Sequence, residues 1–435
     1  MAVINDLPNE LLFMVVSYID VDPERLANLK SLCQVSSRFR ALSEASLYRS
    51  YEWKRGRPSI RSFARTLLDR PDLPHYTRAV DFELPNQFQK RQDGPPSHLI
   101  KDELKRFGNT IDQLGLPSHI RSHWKRLLLI DEENAFAGLT VLLASQKLEE
   151  LRLTYNQGGV AFIPWALDTM QFSMQQAPTA NDNAFLMLHS MRLASSDKWC
   201  GAIKMRELSH IFRLPVLRHL EVAGCLEMTL GHGRPSDREW ADLHSPLETL
   251  SFRESALTAH ALSIILRSCK ALRSFRLEID RLGPGYHDFD QTILDEGLSY
   301  QADSLEDLCV DFHDIETAVT WALDGQGFEA PALESLGRFT QLRTVTLPPN
   351  AILPQDRNAP QSLGSLLPKC LETFELSNAL LNHDLHFGQL WEFALYDLDS
   401  FPAVKCIYLH SSERLHPDWS RLKELLALRK VELVV

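Results

Sequence analysis

INDLPNELLFMVVSYIDVDPERLANLKSLCQVSSRFRALSEASLYR, Ile4 to Arg49, is the stretch from which the rest of the chain is read. Asp6 near a cap and Pro8 in a first turn open a helix, along which Leu7, Leu11, Leu12, Val15, Val16 and Ile19 recur at helical spacing, so one face is apolar. Asp22 followed by Pro23 restarts the chain as a second helix carrying Leu26, Leu29, Leu32 and Cys33. Ser36 and Ser37 interrupt that pattern before Phe39 and Leu42. Three short helices bury too little apolar surface to be firmly stable alone, so the spare face is expected to sit against another element or another protein.

The order Leu7-Pro8-x-Glu10-Leu11-Leu12, Val15, Ile19, Leu26, Leu29, Leu32-Cys33-x-Val35-Ser36-x-x-Phe39-Arg40-x-Leu42 and Leu47-Tyr48-Arg49 resembles an F-box from end to end. In that family this surface binds the Skp adaptor of a cullin-RING ubiquitin ligase. The resemblance therefore implies adaptor docking through Leu7, Pro8, Glu10, Leu11, Leu12, Val15, Ile19, Leu26, Leu29, Leu32, Cys33, Val35, Phe39 and Leu42.

The composition fits a folded chain with room for more than one domain: 435 residues, 44% of them hydrophobic. A net charge of -11 and a pI near 5.8 argue against a general nucleic-acid binder. The one basic run, Lys54, Arg55, Arg57, Arg61 and Arg65, reads as a solvated helix face. Asp6 and Glu10 stand where a signal peptide needs positive charge, and the apolar run Leu11 to Ile19 is too short to span a bilayer, so a cytoplasmic or nuclear protein without membrane partners is expected. The seven cysteines include no CxxC pair and read as reduced, mostly buried thiols.

Tyr51 to Leu73 reads as a connector helix with Ile60, Phe63, Leu67 and Leu68 on one face, which sets expected boundaries at 1–50, 51–75 and 76–435. Beyond it one phrase, LxxLxL, recurs. It is anchored at Leu148, Leu217, Leu247, Leu272, Leu305, Leu342, Leu371, Val404 and Leu428, with weaker copies at Thr77, Trp124 and Leu188. The anchors are mostly about 24 to 37 residues apart, and Asn156, Cys225 and Asn350 fall where such repeats place a residue that bonds the turning backbone. Helical signals lie between, one capped by Thr258 and one bracketed by Asp314 and Gly325. Strand then helix, repeated, predicts an α/β fold: an irregular solenoid with a parallel sheet on its concave side and helices on its convex side. Inserts rich in Pro, Gly, Gln and Asp interrupt it at roughly 85–98, 154–184, 280–304 and 348–368. With the N-terminal module, and with RPDLPHYTRAVDFEL leading into the first strand, the array resembles the F-box and leucine-rich repeat proteins of filamentous fungi.

Within each copy the apolar residues should point inward and the interleaved ones outward. Arg152, His219, Arg253, Arg276, Asp307, Asp311 and Tyr408 are thereby candidate target-binding residues. Their mixed charge suits a protein or peptide better than a small apolar ligand. His219, Arg253 and Arg276, on consecutive strands, also raise the possibility of a phosphorylated segment. His119 and His123 stand one helical turn apart but lack a third ligand at motif spacing, and His383 and His386 read as a loop pair, so no metal is expected. Gly325-Gln-Gly327 and Gly283-Pro-Gly285 are not dinucleotide fingerprints, and no nucleophile elbow or Walker sequence appears, so neither cofactor nor catalysis is expected. The combined expectation is a target-recognition subunit of a ubiquitin ligase, the alternative being a binding scaffold with no ubiquitylation role.

Overall fold

The structure is a computed structural model that describes residues 4, 7–19, 24–53, 60–84, 101–113, 118–130, 133–155, 185–195, 203–227, 240, 243–279, 290–312, 333–352, 362–377, 383–409 and 418–434. The chain divides into two compact units, Met1–Gly201 and Ala202–Val435.

The first unit begins with α1 (Asn9–Ile19), α2 (Arg25–Val35) and α3 (Ser37–Arg49). Ser36 separates the last two because its side chain accepts the Phe39 N–H at 3.2 Å, capping α3. Arginines tie the three helices together. Arg25 donates to Ser50 Oγ at 2.7 Å and to the Ser46 carbonyl at 2.6 Å, while Arg38 reaches Asn9 Oδ1 at 2.9 Å and the Leu7 carbonyl at 2.6 Å.

α3 runs straight into a strand, β1 (Ser50–Trp53), which corrects the expected connector helix from Tyr51. Helix resumes only at α4 (Ile60–Asp69). The physical reason is tertiary: β1 pairs in parallel with β2 (Ala79–Leu84), and Tyr51 stacks on Phe63 of α4 with ring centroids 3.6 Å apart. Phe63, Leu67 and Leu73 form the buried centre of this joint, with Tyr48, Tyr51 and Leu143 packed on it. β3 (Glu150–Tyr155) and β4 (Ser190–Ser195) extend the parallel pairing. Three helices, α5 (Lys101–Gln113), α6 (Ser118–Leu129) and α7 (Glu133–Ala144), lie between β2 and β3 in sequence. The copy expected at Trp124 is not a strand. Trp124 sits on α6 with its side chain buried and its Nε1 donating to the Ala135 carbonyl at 2.9 Å.

In the second unit β6 (His219–Ala223), β8 (Thr249–Ser255), β9 (Ser274–Ile279), β10 (Asp307–Phe312), β11 (Thr344–Leu347), β12 (Thr373–Leu376), β13 (Cys406–Leu409) and β14 (Glu432–Val434) pair in parallel and in chain order. A separate pair, β5 (Ile203–Lys204) with β7 (Cys225–Leu226), stands apart from them. Helix α8 (Met205–Ile211) precedes β6, α9 (Ala259–Arg267) lies between β8 and β9, α10 (Gln291–Ser299) between β9 and β10, α11 (His383–Glu392) between β12 and β13, and α12 (Trp419–Leu428) between β13 and β14 in sequence. Thr258 caps α9 by accepting the Ala261 N–H at 3.2 Å. His383 and His386 belong to α11 rather than to a loop.

The inward residues of the phrase are buried on strand after strand: Leu220 and Val222, Leu250 and Phe252, Phe275 and Leu277, Leu308 and Val310, Val345 and Leu347, Phe374 and Leu376, Ile407 and Leu409. Each such side chain contributes about 1.5–3 kcal/mol by leaving water. Register is held at the strand entries, where one carbonyl accepts two N–H groups of the next strand. Thus Glu248 and Thr249 both donate to Arg218, and Glu306 and Asp307 both donate to Arg273. The final copy departs from the expected one. Leu433 pairs with Ile407 rather than Leu409, and Leu428, its supposed anchor, is 83% exposed. Lys430, with φ 63°, turns the chain there in the left-handed region, so the strand starts two residues late.

Asn156, His410, Gly283 to Gly285, the segment from Asp314 to Gly327, the insert at 85–98 and nearly all of that at 154–184 lie outside the described residues, whereas the insert expected at 280–304 holds helix α10 and so is not wholly a loop. Cys225 is buried on β7, its N–H donating to Ser255 Oγ at 3.1 Å.

Candidate functional site

Two surfaces were expected to act, one in each part of the chain. On the N-terminal module the amphipathic pattern sorts into an inner and an outer set. Leu12, Val16, Leu29 and Phe39 are buried within the three helices. Leu12, Leu29 and Phe39, expected among the docking residues, are therefore spent on the module's own core. Leu7, Ile19, Leu26, Leu32, Cys33 and Leu42 are half-buried, and Pro8, Glu10, Leu11, Val15 and Val35 are exposed.

Three residues passed over in the sequence join that outer set. Phe13 is 55% exposed, Met14 54% and Tyr18 76%. Together with Leu11 and Val15 they make α1 apolar almost all round, the signature of a helix that expects cover on both sides. The signal was legible, since eight of eleven residues in NELLFMVVSYI are apolar or aromatic, but a one-faced reading hid it. Burial is the first cause of a raised Cys33 thiol pKa, with Glu44 adding to it and Arg40 opposing.

The pattern just described has a known counterpart. Residues 4–51 match the F-box-like family. The F-box-like domain thus spans α1, α2, α3 and the start of β1, and its last turn enters the strand without a linker. No curated protein matches the chain.

The second candidate surface is the outward face of the strands. In the first unit Arg152 pairs with Glu150 at 3.2 Å. In the second, register brings Glu221, Ser251, Arg276, Cys309, Thr346, Glu375 and Tyr408 into one row. His219 lies one position earlier in the alternation and touches Thr249 Oγ1 through Nδ1 at 3.1 Å, and Asp307 aligns with Ser274 and Thr344. Asp311 aligns with Glu278 and accepts from Ser377 Oγ at 3.3 Å.

The guanidiniums on this face are engaged by carboxylates. Arg253 pairs with Glu221 at 3.2 Å, and Arg276 donates from Nε to Glu278 at 2.7 Å. The cationic patch expected of His219, Arg253 and Arg276 is offset where it stands, which removes the field a phosphate needs. Burial pushes the Cys309 thiol up to about 11; nearby Arg276 opposes that shift, and Asp311, Glu375 and Glu278 reinforce it.

His123 contacts Arg126 at 2.7 Å, and burial, then that guanidinium, holds its pKa low. No group of three metal-ligating side chains occurs among the described residues, nor does any helix there have the length and apolarity to cross a membrane.

Proposed function

We propose that this chain is the target-recognition subunit of a Skp-cullin-F-box ubiquitin ligase. Domains of this family generally bind the Skp adaptor within cullin-RING ligases, and the F-box-like domain at residues 4–51 would do so here through Leu7, Pro8, Leu11, Val15 and Val35, with Phe13, Met14 and Tyr18 added. The observation that carries the reading is the coincidence of the family match with an α1 that leaves five large apolar side chains uncovered. A helix of that kind is a docking element in want of a partner.

The strands that follow would form a leucine-rich repeat array, whose outward face holds a target protein. The chain would do no bond chemistry itself. Its contribution would be proximity, since holding a target lysine beside a ubiquitin-charged enzyme raises its effective concentration. Such a subunit would work in the cytoplasm or nucleus.

The test is co-purification with the Skp adaptor. The parent chain should retain it, and Leu11→Asp with Val15→Asp should lose it while melting like the parent, because both positions are exposed. An adaptor that ignores the parent chain defeats the proposal. If the adaptor binds but captured proteins show no ubiquitin-dependent turnover, the chain is a scaffold instead.

A further inference from the structure

We infer that the outward strand face of the second unit receives a cationic stretch of protein, a run rich in Lys or Arg; this rests on the receptor reading above and specifies its target. On the described outward positions of β9 to β14, five carboxylates, Glu278, Asp307, Asp311, Glu375 and Glu432, face one guanidinium, Arg276, which Glu278 already engages. The acids are distributed across strands rather than gathered at a point. Neighbouring strands lie about 4.8 Å apart, so the negative charge forms a band suited to an extended chain rather than to one ion.

Glu278, Asp311 and Glu375 are half-buried, where a lower dielectric strengthens their pull on an arriving cation. Tyr408, beside Glu375 in the register, offers a ring face that a Lys or Arg head can also use.

A separate observation points to an absent occupant. Ser251 is only 9% exposed, on the row between Glu221 and Arg276, and its hydroxyl has no hydrogen-bond partner among the described residues. A buried hydroxyl left so costs about 1–3 kcal/mol, a deficit that a backbone group of a bound segment would remove. The alternation of the strand turns this side chain to the same surface as the acids, not to the apolar interior.

The experiment measures binding of labelled Lys-Ser and Glu-Ser repeat peptides of equal length to the full chain at low and physiological salt. The Lys-Ser peptide should bind and the Glu-Ser peptide should not. Asp311→Asn with Glu375→Gln should weaken the Lys-Ser peptide by about fivefold or more, and Asp307→Asn, an exposed position that bears little on folding, should weaken it in the same direction. A charge-matched control, Asp303→Asn with Glu424→Gln, alters exposed residues outside the strands and should leave affinity within about twofold. The inference is overturned if the control loses as much as the test variants, if both peptides bind alike, or if neither binds. Adaptor co-purification from the same preparations separates the two readings: adaptor retained without peptide binding removes only the cationic target, and peptide binding without adaptor removes only the ligase role.

Discussion

Gln301 is nearly fully buried and holds two elements of the second unit together with one amide. Its Oε1 accepts the Leu272 N–H at 2.9 Å, and its Nε2 donates to the carbonyls of Leu266 at 2.8 Å and Cys269 at 3.1 Å. Gln301→Leu keeps the volume but leaves the Leu272 N–H and the Cys269 carbonyl without that partner, while the Leu266 carbonyl keeps the Cys269 N–H, so it should destabilise the unit by about 2–4 kcal/mol, read as a lowered thermal midpoint. An unchanged midpoint would mean that water replaces the amide. Cys309 yields a second prediction at this scale. With its thiol pKa raised to about 11 by burial first, it remains protonated at neutral pH, and iodoacetamide should label it slowly at pH 7 and faster as the pH climbs towards that value. Rapid labelling at pH 7 would show that burial does not control it.

At the scale of elements, the strand entries carry an alternation of charge. Arg218 faces Glu248 at 3.6 Å, Arg273 faces Glu306 at 3.7 Å, and Arg343 faces Glu372 at 3.7 Å, with Lys405 on the far side of Glu372. Exposed pairs of this sort are individually weak, but the alternation penalises any slip of one strand that would set like charges opposite. Glu306→Lys, placed between Arg273 and Arg343, should lower stability by about 0.5–1 kcal/mol in low salt and by less in high salt. A loss independent of salt would point to packing instead. Helix α1 supports a contrasting pair of changes. Leu12→Ala opens a cavity in the module core and should lower its stability by about 2–4 kcal/mol, whereas Phe13→Ala, on the exposed side, should leave melting nearly unaltered and weaken adaptor capture. Equal melting losses would show that α1 has no outer face.

For the molecule as a whole the division of labour makes one prediction. The chain carrying Leu11→Asp and Val15→Asp should bind the Lys-Ser peptide as the parent does, because the altered residues belong to one compact unit and the acidic strand face to the other. Loss of peptide and adaptor together would mean that the two surfaces are not independent. Much of this organisation was legible beforehand. The three helices announced themselves through Pro8, the Ser36 cap and a 3.6-residue apolar period, and the LxxLxL phrase found β2, β3, β4 and seven of the eight strands of β6 and β8–β14 in register, because alternation and anchor positions are local properties of a chain.

What escaped depended on neighbours distant in sequence. Tyr51 and Trp53 read as the start of a helix until β2 supplies a strand to pair with, and Trp124 satisfies the phrase at Trp124 while its surroundings are helical. Leu428 reads as an anchor, but Lys430 turns the chain and moves the final strand by two residues. By itself the sequence determined which residues leave water and where helices start, since both follow from side-chain chemistry within a few residues. That Arg253 meets Glu221 was decided only when register brought residues some thirty positions apart side by side.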